Sequence, residues 1–343
     1  MTTISRRSLL GAGGATALAL VLAACSDTGS DGQAVSGSSA SASGGAADYD
    51  TVINSGPVAS DDVVAASAWA SAVKKAGELK VGGVKTSQVF SLEDPATGKV
   101  TGFDAALSQV LARYIIGGDD ASSLTPLTVV TSDTRETLLE NGSVDAVFAT
   151  YTITPERAEK ISFAGPYYAS GQAVLVKKDN TDIKSVDDLA GKKVAVQSNS
   201  SSGPALTEAC PDAEQVQIES HTDCVAALEA GQVEAYVVDQ SLLLSEVQAN
   251  DAVKIVGGPF TEDPYGIGLP KDSDAQAFVD AFLEQIEEDG TWDAIWQATI
   301  GTILGGSAPT PPEIGSVPGS EQGGSTAAAS DGASAEASAT ATD

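Results

Sequence analysis

Apolar and polar positions along the chain switch repeatedly between a short β-like period and a helical one. Leu79–Val84 reads as a strand, and the repeat after it puts Phe103, Leu107, Val110, Leu111 and Tyr114 on one helical face. Leu127–Val130 predicts a second strand, Thr134–Glu140 a helix stopped by Asn141-Gly142, and Asp145–Ala149 a third strand. After Tyr168 the pattern restarts, with strands at Val174–Val176, Val194–Val196, Val216–Ile218 and Ala235–Val238 and helices between them. Tyr265–Leu269 is a late strand. Two closing helices follow, one with Phe278, Phe282 and Ile286 at helical spacing, the other with Trp292, Ile295 and Trp296. Alternating strand–helix units predict an α/β protein with parallel-rich sheets covered by helices, and the restart predicts a second lobe with its own sheet. Such sheets bind ligands at the carboxyl ends of their strands.

The flanks lack this pattern. Residues 1–24 read as an export signal: Arg6 and Arg7 form a basic start, and the uncharged run Leu9–Ala24 is too short for a comfortable membrane span of about 20 residues. The run ends in Leu22-Ala23-Ala24-Cys25, which resembles the lipobox of bacterial lipoproteins, with Cys25 the lipidated residue after cleavage; an ordinary signal peptide is the alternative. The Arg6-Arg7 pair fits twin-arginine export as well as the general secretory route. Residues 25–47 are rich in Ser, Gly and Ala with no aromatic residue, and read as a disordered tether. Residues 305–343 repeat that composition, with Pro309, Pro311 and Pro312, and read as a disordered tail.

Composition narrows the chemistry. In 343 residues, 47 acids face 18 lysines and arginines, a net charge of −29 that leaves little for a phosphate-binding face and makes nucleic acid an improbable partner. One histidine and three cysteines nearly exclude a zinc site. No G-x-x-x-x-G-K-[ST] or G-x-S-x-G run is present, so neither ATP hydrolysis nor an α/β-hydrolase is indicated, and no cofactor or metal is expected. In an exported protein Cys210 and Cys224 should form a disulfide; two free buried thiols are the alternative.

Seven segments carry a resemblance. Gly98-Lys99-Val100-Thr101-Gly102-Phe103-Asp104, Asn141-Gly142-Ser143-Val144-Asp145-Ala146, Thr152-Ile153-Thr154-Pro155-Glu156-Arg157 and Phe163-Ala164-Gly165-Pro166-Tyr167-Tyr168 come first. Ala227-Leu228-Glu229-Ala230-Gly231, Val237-Val238-Asp239 and Pro264-Tyr265-Gly266-Ile267-Gly268-Leu269 follow in the same order. The stretch from about Glu78 to Gly301 resembles the family 3 extracellular solute-binding proteins, the amino-acid receptors of ABC importers. The resemblance implies a two-lobed periplasmic-binding-protein-like fold, each lobe a helix-covered, mainly parallel sheet, joined by crossover strands near Ser170–Ala173 and Thr261–Gly266. Residues 48–172 and 265–304 would form the first lobe and 173–264 the second, with ligand held between them by hinge closure. It further implies a lipid-anchored monomer on the outer face of the cytoplasmic membrane, delivering an amino acid to a permease driven by a separate ATPase.

An amino acid brings an ammonium and a carboxylate into the cleft, and each needs an opposite charge or several hydrogen bonds. By resemblance Arg157 is the carboxylate clamp, its two parallel donors matching two oxygens. A surface ion pair with Glu156 or Glu159 is the bland alternative. Thr150 and Thr152 match positions that add donors, and Ser200 would add one from the second lobe. Asp239 matches the acceptor of the α-ammonium and could equally cap the helix that follows it. Lys85 and Arg135 lie where the family reads the ligand side chain, His221 matches a pocket position of acidic amino-acid receptors, and Phe90 matches the stacking aromatic. Lys85 could instead be solvated, Arg135 paired with Asp133 or Glu136, and His221 a plain helix-start residue. Three fixed cations, Lys85, Arg135 and Arg157, against the one anion Asp239 favour glutamate or aspartate over their neutral amides. Sensing for a membrane kinase and dehydratase chemistry are the other readings this scaffold allows.

Overall fold

The computed structural model describes residues 48–321. The export signal, Cys25, the tether and the chain beyond residue 321 lie outside the described residues. In chain order the strands are β1 (Val81–Gly83), β2 (Thr86–Ser87), β3 (Ser91–Glu93), β4 (Val100–Thr101), β5 (Leu127–Val129), β6 (Ala146–Val147) and β7 (Ser162–Ser170). Then come β8 (Gln172–Lys177), β9 (Lys193–Gln197), β10 (Glu214–Ile218), β11 (Ala235–Asp239), β12 (Val253–Val256) and β13 (Asp263–Leu269).

Two five-stranded sheets organise the two lobes. The first has the order β5-β1-β6-β13-β7, with β1 parallel to β5 and β6 and with β13 antiparallel to β6 and β7. The second has the order β10-β9-β11-β8-β12, with β9 parallel to β10 and β11 and with β8 antiparallel to β11 and β12. The chain leaves the first sheet at Gly171, between β7 and β8, and returns through residues 257–262 into β13. These crossings touch: a Cβ at Gly171 would lie 2.2 Å from the carbonyl oxygen of Thr261, so only glycine lets the two backbones pass so closely.

The helix periodicity holds in packing. Helix Phe103–Ile116 buries nearly every residue, and helix Ala275–Glu288 buries Phe278, Phe282 and Ile286 beside Trp292, Ile295 and Trp296 of the next helix. Three helices over Tyr49–Ala76, which the sequence pattern does not announce, cover the same core through Val52, Ile53, Val64, Ala70 and Val73. Strands β2 to β4 form a small antiparallel sheet of their own.

Two expectations are corrected here. Cys210 and Cys224 are both free and buried. On β8, Ala173 and Leu175 face one cluster while Val174 and Val176 face another, and β9 and β11 alternate likewise. Cys224 belongs to the first of these clusters and Cys210 to the second, so the sheet stands between them and no disulfide geometry is available. Burial pushes the Cys224 thiol up to about 12, which makes it inert. Residues 305–321, expected as part of a disordered tail, instead lie along the first lobe, with Ala308 and Ile314 against its main core and Val317 against a satellite cluster. Their Pro- and Gly-rich composition has no periodicity to reveal this, because the segment packs by single residues rather than by a face.

In a chain beginning at Asp48, both thiols should resist a thiol-specific reagent until denaturant is added, and reductant should leave the melting midpoint unchanged. A reductant-dependent fall in the midpoint would restore the disulfide.

Candidate functional site

A cleft of about 620 Å³ lies between the sheets, at the carboxyl ends of β1, β5, β9 and β11. The lobes meet along one side of it. Thr152 Oγ1 and Ser201 Oγ are 3.2 Å apart, and Asn199 donates its side-chain amide to Asp133.

Arg157 reaches this cleft because of the turn that carries it. Thr154 caps the one-turn helix Pro155–Ala158, its hydroxyl accepting from Arg157 N–H at 3.3 Å, and Pro155 fixes the first turn. The guanidinium donates through Nη1 to the Thr152 carbonyl at 2.7 Å and through Nη2 to the Asn199 carbonyl of the second lobe at 3.2 Å. Arg135 opens helix Arg135–Glu140 and is equally buried, with Nη1 donating to the Ala149 carbonyl at 3.3 Å. Its guanidinium lies 3.5 Å from the centre of the Tyr151 ring, and that of Arg157 lies 5.2 Å from the same ring. Burial, and then repulsion from Arg157, pull Arg135 down to about 9; burial also lowers Arg157. Arg135 Nε has no hydrogen-bond partner among the described residues. Neither arginine forms the surface ion pair that was the bland reading.

Asp239 ends β11 and stands at the N-cap of helix Gln240–Ala249 without a side-chain capping bond. It is buried, its Oδ1 has no hydrogen-bond partner among the described residues, and burial followed by repulsion from Asp263 raises its carboxyl well above the ordinary range. Asp263 sits in the hinge, where it accepts from Gln172 Nε2 at 2.6 Å and from Thr261 Oγ1 at 3.0 Å. Gln172 Nε2 also reaches Ser201 Oγ at 3.4 Å, joining the hinge to the contact between the lobes.

Thr150 and Thr152 both line the cleft. Thr150 has φ 44°, a strained value for a β-branched residue, and its N–H is held at 2.8 Å by the buried Asp104 carboxylate, which also accepts from the Tyr167 hydroxyl at 2.8 Å. Ser200 lines the cleft with its hydroxyl turned back to the Gln197 carbonyl at 2.7 Å, while the adjacent Ser201 is the residue that bonds Thr152.

Of three further expected residues, Lys85 and His221 line the cleft with partners of their own, and Phe90 lies outside it. Lys85 lines the rim but pairs with Glu93 at 2.7 Å across the small sheet. His221 lines the wall, its Nδ1 lying 3.1 Å from the Tyr236 hydroxyl and its Nε2 3.5 Å from Glu246. Phe90 is fully buried and does not touch the cleft: it makes edge contacts with Phe103, Tyr168 and Tyr265, because the turn between β2 and β3 points it into the aromatic core. Sequence reasoning missed Tyr151, Glu246 and Asp104, and the serine run left open whether Ser200 or Ser201 makes the contact. The run Thr150-Tyr151-Thr152 held no period to read, because Thr150 takes φ 44° and the segment is not a strand.

The model for bacterial extracellular solute-binding proteins, family 3, matches residues 79–302. The chain belongs to that family. As a solute-binding protein it is exported, and its crossing strands and cleft follow the two-lobed architecture of its relatives. It is 36% identical over 221 residues to the glutamine-binding protein GlnH of an ABC transporter in Bacillus subtilis, spanning 64% of this chain and 80% of that protein. It is 33% identical over 175 residues to the glutamate-binding protein GluB of Corynebacterium efficiens, spanning 49% of this chain and 60% of that one. Among solved structures, an ancestral arginine-binding protein bound to glutamine superposes with a TM-score of 0.60 at 32% identity, covering 67% of this chain and 99% of that one.

Replacing Tyr151 by alanine should cost the solute-binding protein about 3 to 5 kcal/mol in denaturant unfolding, the range for aromatic truncation in a core. A loss within experimental error would show that the ring does not support the two arginines.

Proposed function

We propose that this solute-binding protein is an amino-acid receptor of an ABC importer that closes on glutamate or aspartate, held at the membrane by a lipid on Cys25. One observation carries the reading. Two buried guanidiniums, Arg135 and Arg157, share the Tyr151 ring, and among the described residues Asp239 is the one buried carboxylate that lines the same cleft. Arg157 takes the α-carboxylate and Asp239 the α-ammonium, with Thr150, Thr152 and Ser200 or Ser201 adding hydrogen bonds. Arg135, with a donor left over, then faces a second carboxylate.

The charge argument is tighter than a count of nearby cations. Lys85 is already neutralised by Glu93, and His221 lies beside Glu246. Glu219 and Glu229 line the cleft but are exposed, so water screens them. Among the described residues, the fully buried charges left in the cleft are Arg135 and Arg157 against Asp239, and the half-buried Glu246 is shared with His221. A dicarboxylic amino acid brings two negatives and one positive, which closes the balance in a desolvated site. The protein works by binding and closure, with no bond made or broken. A second reading, glutamine, is favoured by the glutamine-binding relative; there the side-chain amide oxygen would accept from Arg135 and one positive charge would stay uncompensated.

Calorimetry separates the two readings. Arg157→Ala should weaken every amino acid at least about 100-fold, because it strands a buried carboxylate. Arg135→Ala should weaken glutamate more than glutamine by about tenfold or more. An unchanged preference would reject the acidic reading, and tighter wild-type binding of glutamine would favour the second. Asp239 must lose its proton to pair with an ammonium, and its carboxyl is raised, so binding releases a proton. Affinity should therefore fall as the pH is lowered from about 8 to about 5.5, where the glutamate side chain is still ionised. A flat profile would remove Asp239 from the ammonium site.

A further inference from the structure

The helix carrying Arg157 has a neighbour that the family match does not include. The match ends at residue 302, yet residues 305–321 turn back along the first lobe. Gly315 N–H donates to the Gly165 carbonyl at 2.9 Å, and Val317 packs into the cluster that contains Tyr151, Ile153 and Phe163. Ser320 is fully buried, and Gln276 Nε2, from helix Ala275–Glu288, donates to its carbonyl at 3.0 Å. Gly319 lies directly on the arginine's own turn. A Cβ there would stand 2.9 Å from Ala158 Cβ, 3.3 Å from Ile153 Cγ2 and 3.4 Å from the Thr154 carbonyl oxygen.

We propose that this strap, residues 315–320, is a positioning element for the carboxylate clamp: it presses Pro155–Ala158 and the Tyr151 ring from behind and so fixes the Arg157 guanidinium in the cleft. Ile153, Thr154 and Ala158 flank Arg157 on both sides, and Gly319 of the strap lies against all three, while Lys271 Nζ donates to the Ala158 carbonyl. A one-turn helix has almost no stability of its own, so its orientation is set by what packs on it. Gly319 takes φ 99°, a conformation open to glycine, which lets the strap's backbone approach the turn without a side chain between them. The inference rests on the reading of Arg157 as the carboxylate clamp.

The test uses full-length mature protein, the variant Gly319→Val, a chain ending at residue 306 and a chain ending at residue 321. Gly319→Val should lift the strap, because the new side chain meets the Ala158 Cβ and the φ angle disfavours it. Two readouts are taken on samples that remain folded by circular dichroism. Hydrogen exchange of the amides over residues 153–158 needs no ligand: it should quicken in Gly319→Val and in the chain ending at 306, and stay slow in the chain ending at 321. Calorimetry with glutamate and glutamine should show Kd raised about tenfold in the first two, the effect of one charged hydrogen bond worth about 1.5 kcal/mol. The preference for glutamate over its α-carboxamide should shrink with it, which general loosening would not cause. Unchanged exchange and unchanged Kd without the strap would overturn the proposal. If wild type binds no amino acid while strap loss still quickens exchange, the clamp reading fails and the brace stands.

Discussion

Two guanidinium groups taken out of water against one tyrosine ring are the constraint around which this molecule is arranged. A buried arginine keeps its charge, so its surroundings must supply acceptors and a polarisable surface. Arg157 finds the carbonyls of Thr152 and Asn199, one from each lobe, and Arg135 finds the carbonyl of Ala149. The face of Tyr151 contributes its negative quadrupole to both. What these contacts leave unmet is a full anionic charge, and the cleft between the lobes is where one can enter.

The hinge continues the same logic. The crossing strands meet at Gly171 and Thr261, and beside them Asp263, Gln172 and Thr261 form a buried network that reaches Ser201. Ser201 in turn touches Thr152, whose carbonyl holds Arg157. The cleft groups on the two sheets are thus joined to the crossing strands by hydrogen bonds rather than by apolar packing. Burial, and then the nearby Asp263, raise the Asp239 carboxyl, so the empty site disfavours its negative charge and an ammonium beside it would compensate that charge.

Much of the fold was legible in the periodicity. The strand–helix alternation placed most strands of both sheets, and the spacing of Phe278, Phe282 and Ile286 marked a helix that covers the core. Besides β7 and β12, which the pattern left unmarked, three parts were hidden for physical reasons. The helices over Tyr49–Ala76 are short, five to nine residues each, and two of them span fewer than two full turns over which a helical period could repeat. Strands β2 to β4 are two or three residues each, too short to show a period. The strap buries isolated residues such as Val317 and Ser320 rather than a face.

For the site, the sequence by itself determined that Asp239 closes an apolar strand, and its family-like segments singled out Arg157, Thr150 and Thr152. The first follows from local pattern, the others from likeness residue by residue. Which charges remain free was decided only by tertiary structure, because compensation acts through space. Lys85 meets Glu93 across a small sheet, His221 meets Glu246 on a neighbouring helix, and Phe90 turns into the core while Tyr151 comes up beneath the arginines. The cysteines make the same point: the even pair suggested a bond, and a sheet standing between two cores forbids it.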